Sequence, residues 1–409
     1  MKVALVHDWL TGMRGGERCL EAFCELFPEA DIYTLLHVRG TISETIEKHR
    51  IKTSFIERLP KSKQHYRHYL PLFPTAIASF DFTGYDLILS SSHCVAKGVR
   101  VPRGVCHIAY VFTPMRYIWD QYDTYFNEET ASYPVRTAMK MVRPYLQYWD
   151  VHSNKDVYAF VAISSFVAER ISRYYDRTSD IIYPPVDLER FSVSSRDDGF
   201  YLMVTALVPY KRVDLAIMAF NQLKLPLKII GGGPEEGRLK ALSGPTIMFL
   251  GDQSDEDVSR AYSQCRALIF PGEEDFGIVP LEAMASGKPV IAYGKGGVTE
   301  TVVSLQHERC DEANPTGLFF FEQTPKTMCD AVLCFEKNRE RFDPIRIREH
   351  VLSFDRAQFK KKMKAYITKT IERFNSPPGP LSENQRGGEL SSSTIPLPIY
   401  REGVGGELC

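Results

Sequence analysis

Residues 267–300 read ALIFPGEEDFGIVPLEAMASGKPVIAYGKGGVTE and hold one complete unit of an α/β chain. Ala267 to Phe270 is a short apolar run closed by proline and glycine, the signature of a buried strand. An acidic loop follows. Pro280 suits the first position of a helix, where its missing N–H has no partner to lose. Val290 to Tyr293 then repeats the strand pattern. Strand, loop, helix and strand in that order predict two parallel strands joined by a crossover.

The same alternation extends outward from this segment. Upstream in the second half it predicts strands at Tyr201 to Ala206, Leu227 to Ile230 and Ile247 to Leu250. In the first half it predicts Val3 to His7, Ile32 to Leu36, Leu87 to Ser90, His107 to Phe112, Phe160 to Ser164 and Ile181 to Tyr183. Two doubly wound, Rossmann-like sheets of the α/β class, facing each other across a cleft, account for the pattern. The polar stretch Ser192 to Gly199 (SVSSRDDG) separates the strand sets and predicts the linker. The expected layout is one domain over residues 1–195, a second over 196–350 and terminal helices over 351–375. The Ser-, Pro- and Gly-rich tail, 376–409, is expected to be disordered.

Bulk properties narrow the function. A chain of 409 residues suits two domains of the usual about 100–200 residues each. A net charge of −1 supplies no field to gather nucleic acid, so no nucleic-acid partner is expected. Nine cysteines, odd in number and without a CxxC pair, argue against both a disulfide framework and a zinc site, and predict a reduced, cytoplasmic protein. The first residues, MKVALVHDWLTG, read as a strand, because Asp8 and a glycine turn stand where a signal peptide would be cleaved. No run approaches the about 18 apolar residues of a membrane span, so membrane contact would be peripheral.

Candidate binding groups cluster at strand ends. Phe276, Gly277, Ile278 and Val279 lie at a predicted helix start, where free N–H groups and the helix dipole favour an anion. Glu282 is expected in the first turn of that helix, and Glu274 lies eight positions earlier on the loop. Two carboxylates beside one cleft suit a ligand with several hydroxyls next to a phosphate. Lys211 and Arg212, in VTALVPYKRVDLAI, supply positive charge after the first strand of the second half. Gly231, Gly232 and Gly233 form a turn after another. Each has a plain structural reading: a dipole partner for Glu282, turn geometry for the glycines, a solvated helix start for the two cations. Their recurrence at successive strand ends of one domain favours a site.

With these residues in place the chain resembles glycosyltransferase family 4, which has the GT-B fold and retains anomeric configuration. The resemblance runs across residues 2 to 370 and rests on two glutamates separated by seven residues, here Glu274 and Glu282. It implies that Glu274 contacts the donor sugar, Glu282 the nucleotide ribose and Lys211 the diphosphate, with the amides of Gly277 to Val279 on phosphate. Gly251 falls at a position near the base, and Glu300 follows the family pattern without an assigned role. Arg14-Gly15-Gly16-Glu17 is similar to a family turn that brings Gly15 and Gly16 toward the donor phosphates or the acceptor. The implied donor is a UDP- or GDP-sugar, acting as substrate, with no cofactor. No DxD triplet occupies the donor loop, so no metal is expected.

Two departures stand out. Thr205-Ala206-Leu207 lacks an arginine common in the family, and Arg212 is the candidate to replace its charge. In Phe112-Thr113-Pro114-Met115-Arg116-Tyr117-Ile118-Trp119-Asp120, similar to polysaccharide-assembly members, Phe112 stands where a histidine is common. That leaves open whether His93, after Ser90-Ser91-Ser92 on a candidate acceptor wall, or no histidine contacts the sugar of a saccharide or lipid-linked saccharide acceptor. His93 is the catalytic candidate, and a capping serine with a surface histidine is the plain structural reading. The basic and aromatic run Lys61 to Pro71 suits either a lipid-diphosphate acceptor at the inner face of a membrane or a plain solvated helix. Two other functions fit the same architecture: a nucleotide-sugar epimerase, and a nucleotide-binding scaffold without turnover.

Overall fold

A computed structural model describes residues 1–128, 130–305 and 314–376. The expected disordered tail lies outside the described residues apart from Ser376, as does Cys310. The seven cysteines within them are all unpaired.

The first sheet has seven strands: β1 (Val3–His7), β2 (Asp31–Thr34), β3 (Ile51–Thr53), β4 (Leu87–Ser92), β5 (Cys106–Val111), β6 (Ala159–Ala162) and β7 (Asp180–Ile181). Their order is β3-β2-β1-β4-β5-β6-β7, all parallel. The second has six: β8 (Tyr201–Val204), β9 (Leu227–Ile230), β10 (Ile247–Gly251), β11 (Leu268–Phe270), β12 (Val290–Tyr293) and β13 (Gly317–Phe320). Their order is β10-β9-β8-β11-β12-β13, again all parallel. Two Rossmann-like domains result, as the apolar periodicity predicts, and residues 182–200 join the two sheets.

Parallel strands covered by helices on both faces are buried on both sides, which explains the uninterrupted Val, Leu and Ile runs. Leu5, Val6, Ile88, Ile108, Leu202, Ile229, Ile269 and Ile291 are at most 1% exposed. Strand bounds differ from expectation by a residue or two, and Tyr201 to Ala206 stops at Val204. Two edge strands were not expected. Ile51–Thr53 is three half-buried residues with a lysine at its centre, and Gly317–Phe320 is defined by its pairing with β12. Neither carries a periodicity of its own.

The last helix, Arg356–Asn375, crosses back onto the first domain. Phe359 packs against Phe23 and Tyr110, with ring centroids 5.6 and 5.8 Å apart. Arg356 donates to Glu21 at 2.8 Å and to Glu25 at 2.6 Å. Among the described residues no helix is long and apolar enough to cross a membrane.

In each sheet the chain order reverses beside one strand pair, β1/β4 in the first and β8/β11 in the second. Loops leaving such a pair diverge to opposite faces and open a crevice at the carboxyl ends of the strands, where ligands bind in doubly wound folds. His93 follows β4, Lys211 follows β8 and Glu274 follows β11. The two crevices meet: a Cβ placed on Gly15 would lie 2.8 Å from Cδ1 of Ile278 in the other domain.

Candidate active site

Lys211 closes a short 3-10 turn, Pro209–Lys211, after β8, and its ammonium is ion-paired with the Glu274 carboxylate from the loop after β11. The two side chains are each 18% exposed and stand in a narrow recess whose walls include Val204, Thr205, Phe270 and Gly272. Burial and the nearby Arg116 guanidinium draw the Lys211 ammonium down to about 7, against the pull of Asp275. The Glu274 backbone is fixed independently of its side chain, because its carbonyl accepts from the Gly297 N–H at 2.8 Å. Only glycine permits that approach: a Cβ on Gly297 would sit 2.4 Å from both the Asp275 carbonyl oxygen and the Phe276 Cα.

The helix beside the loop is Ile278–Ala285, with Gly277 at its N-cap. It begins two residues earlier than expected, so Pro280 is its third residue. That position tolerates proline equally well, since the first four N–H groups of a helix have no intrahelical partner. Gly277 has φ of 89°, a left-handed value that costs glycine little. Glu282 is corrected in the same way: it is the fifth residue of the helix, not part of its first turn. Its carboxylate accepts from the Tyr262 hydroxyl at 3.0 Å. Burial raises its pKa, while Tyr262, Arg190 and Arg18 oppose the rise. Phe276 is buried and stacks on Tyr183, so it anchors the loop and does not face the crevice.

Arg212 is not brought to the Lys211–Glu274 pair. It adopts a left-handed φ of 52°, and its guanidinium turns to Asp214 at 3.2 Å and Gln323 at 3.3 Å. Arg212→Ala is therefore expected to leave nucleotide affinity within about twofold of the parent, as surface substitutions away from a site do; a tenfold loss in a calorimetric titration would return Arg212 to the site. Gly232 accepts from the Leu207 N–H at 3.0 Å and faces the Asp252 carboxylate. Gly251 ends β10 with φ of 68°, its carbonyl holding the Gly231 N–H at 2.9 Å.

On the first domain, Gly15 and Gly16 open the helix Gly15–Leu26, with Gly16 against the rings of His7 and Phe112. The Arg14 N–H donates to Glu17, whose carboxyl burial lifts to about 7. Ser90 and Ser91 do not form an acceptor wall: they are buried in the sheet, hydrogen-bonded to His107 and His7 at 2.8 and 2.7 Å. Lys97 is buried against Asp150 at 2.9 Å. His93 keeps 30% of its side chain exposed, and its Nδ1 lies 3.1 Å from Asp8. Asp8 is fully buried and accepts from the backbone N–H groups of residues 93 to 96 at 2.7 to 3.0 Å, tying the end of β1 to the end of β4. Burial and three arginines, Arg116 foremost, hold the His93 pKa low despite Asp8. A neutral ring that donates through Nδ1 presents Nε2 as an acceptor for a hydroxyl.

Several groups at this junction were not picked out from the sequence. Asp275, next to Glu274, reaches across to the first domain: it pairs with Arg116, and with Arg170 at 2.7 Å. Arg170 also donates to Thr113 at 2.7 Å and pairs with Asp120 at 2.5 Å, while Ser164 donates to the Asp275 carbonyl at 2.5 Å. Glu300 acquires a role here, since its carboxylate accepts from the N–H groups of Ser165 and Phe166 at 2.8 and 3.2 Å and caps a first-domain helix. The sequence signals for this set were family resemblances: the segment Phe112 to Asp120, Ser164-Ser165 with Arg170 read as cap and turn features, and Glu300 without an assigned role; Asp275 carried none.

A strand-end lysine and glutamate thus stand beside a glycine-capped helix start and face a second Rossmann-like crevice. Residues 187–347 match the family described as "Glycosyl transferases group 1". That span includes every second-domain candidate residue. The chain is 30% identical over 166 residues to an uncharacterized glycosyltransferase of Methanocaldococcus jannaschii, covering 39% of this chain and 46% of that protein. It is 30% identical over 145 residues to O-antigen chain mannosyltransferase C of Escherichia coli, covering 31% and 38%. The matches thus span less than half the length of these relatives. The crystal structure of Anabaena HepE in complex with UDP shares the fold, with a TM-score of 0.65 at 16% identity, over 90% of this chain and all of that one.

Proposed function

We propose that the protein is a retaining glycosyltransferase that moves a hexose-type sugar from a UDP- or GDP-sugar to a saccharide or lipid-linked saccharide, without a metal ion. The observation that carries this is the partly buried Lys211–Glu274 pair at the strand-reversal crevice of the second domain, beside the Gly277-capped helix. Lys211 and the amides of Ile278 and Val279 take the diphosphate, Glu274 accepts from the sugar hydroxyls, and Glu282 from the ribose. Among the described residues no side chain stands as an evident covalent nucleophile, so retention implies that the acceptor hydroxyl enters on the face the diphosphate leaves. His93 Nε2 accepts from that hydroxyl and orients it. Catalysis then rests on charge stabilisation and positioning. The name of the Escherichia coli relative favours mannose, and UDP in the HepE complex favours a uridine carrier.

A thermal-shift panel of nucleotides and sugar nucleotides tests this, because a ligand that binds only the folded state at 100 times its Kd adds about 2.7 kcal/mol of stability. One base and one sugar are expected to stand out, followed by transfer to an acceptor. A panel with no shift would sink the reading, and conversion of the free sugar nucleotide without acceptor would favour the epimerase. The low pKa of Lys211 adds a sign. The ammonium is present below about pH 7 and lost above it, and a bound diphosphate raises its pKa again. Nucleoside diphosphate binding should therefore weaken by up to about tenfold from pH 6 to pH 8; a flat Kd would count against Lys211 as the phosphate cation.

A further inference from the structure

The loop after β8 carries one cation into the crevice, Lys211, while Arg212 is bound elsewhere. A departing diphosphate carries more charge than one ammonium balances. The first domain supplies a second cation at the same place. Arg116 is 19% exposed, pairs with Asp275, the neighbour of Glu274, and lies with its guanidinium carbon 5.6 Å from the ring centre of Tyr210, the neighbour of Lys211. Tyr125 stacks on the same Tyr210, 6.0 Å between ring centres. Arg116 is thus flanked by the two residues adjoining the Lys211–Glu274 pair, and its charge is felt by both Lys211 and His93 on opposite walls of the cleft.

We propose that Arg116 is a diphosphate-binding residue delivered across the cleft by the first domain, parked on Asp275 until the donor arrives. The proposal rests on the donor-site reading above. A planar guanidinium can grip a phosphate through two parallel N–H bonds, which a lysine cannot reproduce. Its release strands no charge, because the other Asp275 oxygen stays paired with Arg170 at 2.7 Å. Exchange of one carboxylate for the diphosphate would also couple donor binding to the seating of the first domain on the donor loop.

The test compares a nucleoside diphosphate with the corresponding monophosphate, UDP against UMP and GDP against GMP, by calorimetric titration of the full chain and of Arg116→Gln. If Arg116 meets the diphosphate, the affinity advantage of diphosphate over monophosphate falls about tenfold or more in Arg116→Gln. Arg116→Lys, which keeps the charge near Asp275, recovers part of it and serves as the measurement if the glutamine variant does not fold. An advantage unchanged in either folded variant overturns the proposal, as does an equal loss for both ligands, which is what a merely structural Arg116 would give. If the parent chain binds neither diphosphate, the donor-site reading itself has failed, an outcome distinct from the other two.

Discussion

Glu274→Gln is expected to lower sugar transfer by about 10²-fold or more while leaving the fold intact, in the range found when one preorganised group facing a developing charge is removed. Folding should survive for two reasons. The Glu274 backbone is held by the Gly297 N–H, and an amide oxygen can still accept from the Lys211 ammonium. On the proposed function the loss should appear in kcat, with KM for the donor changed little, because the carboxylate would orient the sugar at the reacting carbon while the diphosphate keeps its own grip. Full turnover in a variant with an unaltered melting curve would remove Glu274 from the catalytic machinery.

Asp275→Asn should have the largest effect on stability. Asp275 is 7% exposed and compensates two guanidinium groups from the first domain. Removing one partner of a buried ion pair leaves the other charge desolvated and unpaired, a loss of about 3–5 kcal/mol. Arg170 retains Asp120 and Thr113, which places the expected loss near about 3 kcal/mol, the low end of that range. Denaturant unfolding should show it as a lower midpoint with a similar slope. Donor binding should weaken as well, since the Glu274 loop is seated on the first domain through this side chain. An unfolding free energy within about 0.5 kcal/mol of the parent would mean that solvent reaches the network and that the domains are not locked here.

Much of the architecture was legible from residue order. Buried parallel strands demand apolar runs, and these runs, with glycine and proline at their ends, placed eleven strands to within a residue or two. β3 and β13 escaped because edge strands are defined by the neighbour they pair with, not by a pattern of their own. The second-domain loop was legible for a similar reason: a glycine-capped helix start after a strand has a local signature, and Gly277, Glu274 and Lys211 fall in short segments at strand ends. Glu282 was read from the same segment, but its place in the helix was misjudged because Pro280 suits either of two positions.

What residue order alone settled, then, is the α/β class, the two strand sets and the strand-end groups, because each depends on contacts within about ten residues of chain. Which of those groups face one another was settled only by the tertiary structure. Arg116 and Asp275 are 159 positions apart, and nothing local marks either as the other's partner. The two serines expected to line the acceptor side turned inward because β4 is central to its sheet and its side chains on both faces are buried. Arg212 turned away because a left-handed backbone angle directs its guanidinium to Asp214 and Gln323. Long-range electrostatic pairing acts only once both sheets have formed and their carboxyl ends meet, so the cleft's charge pattern is a property of the fold and not of any segment.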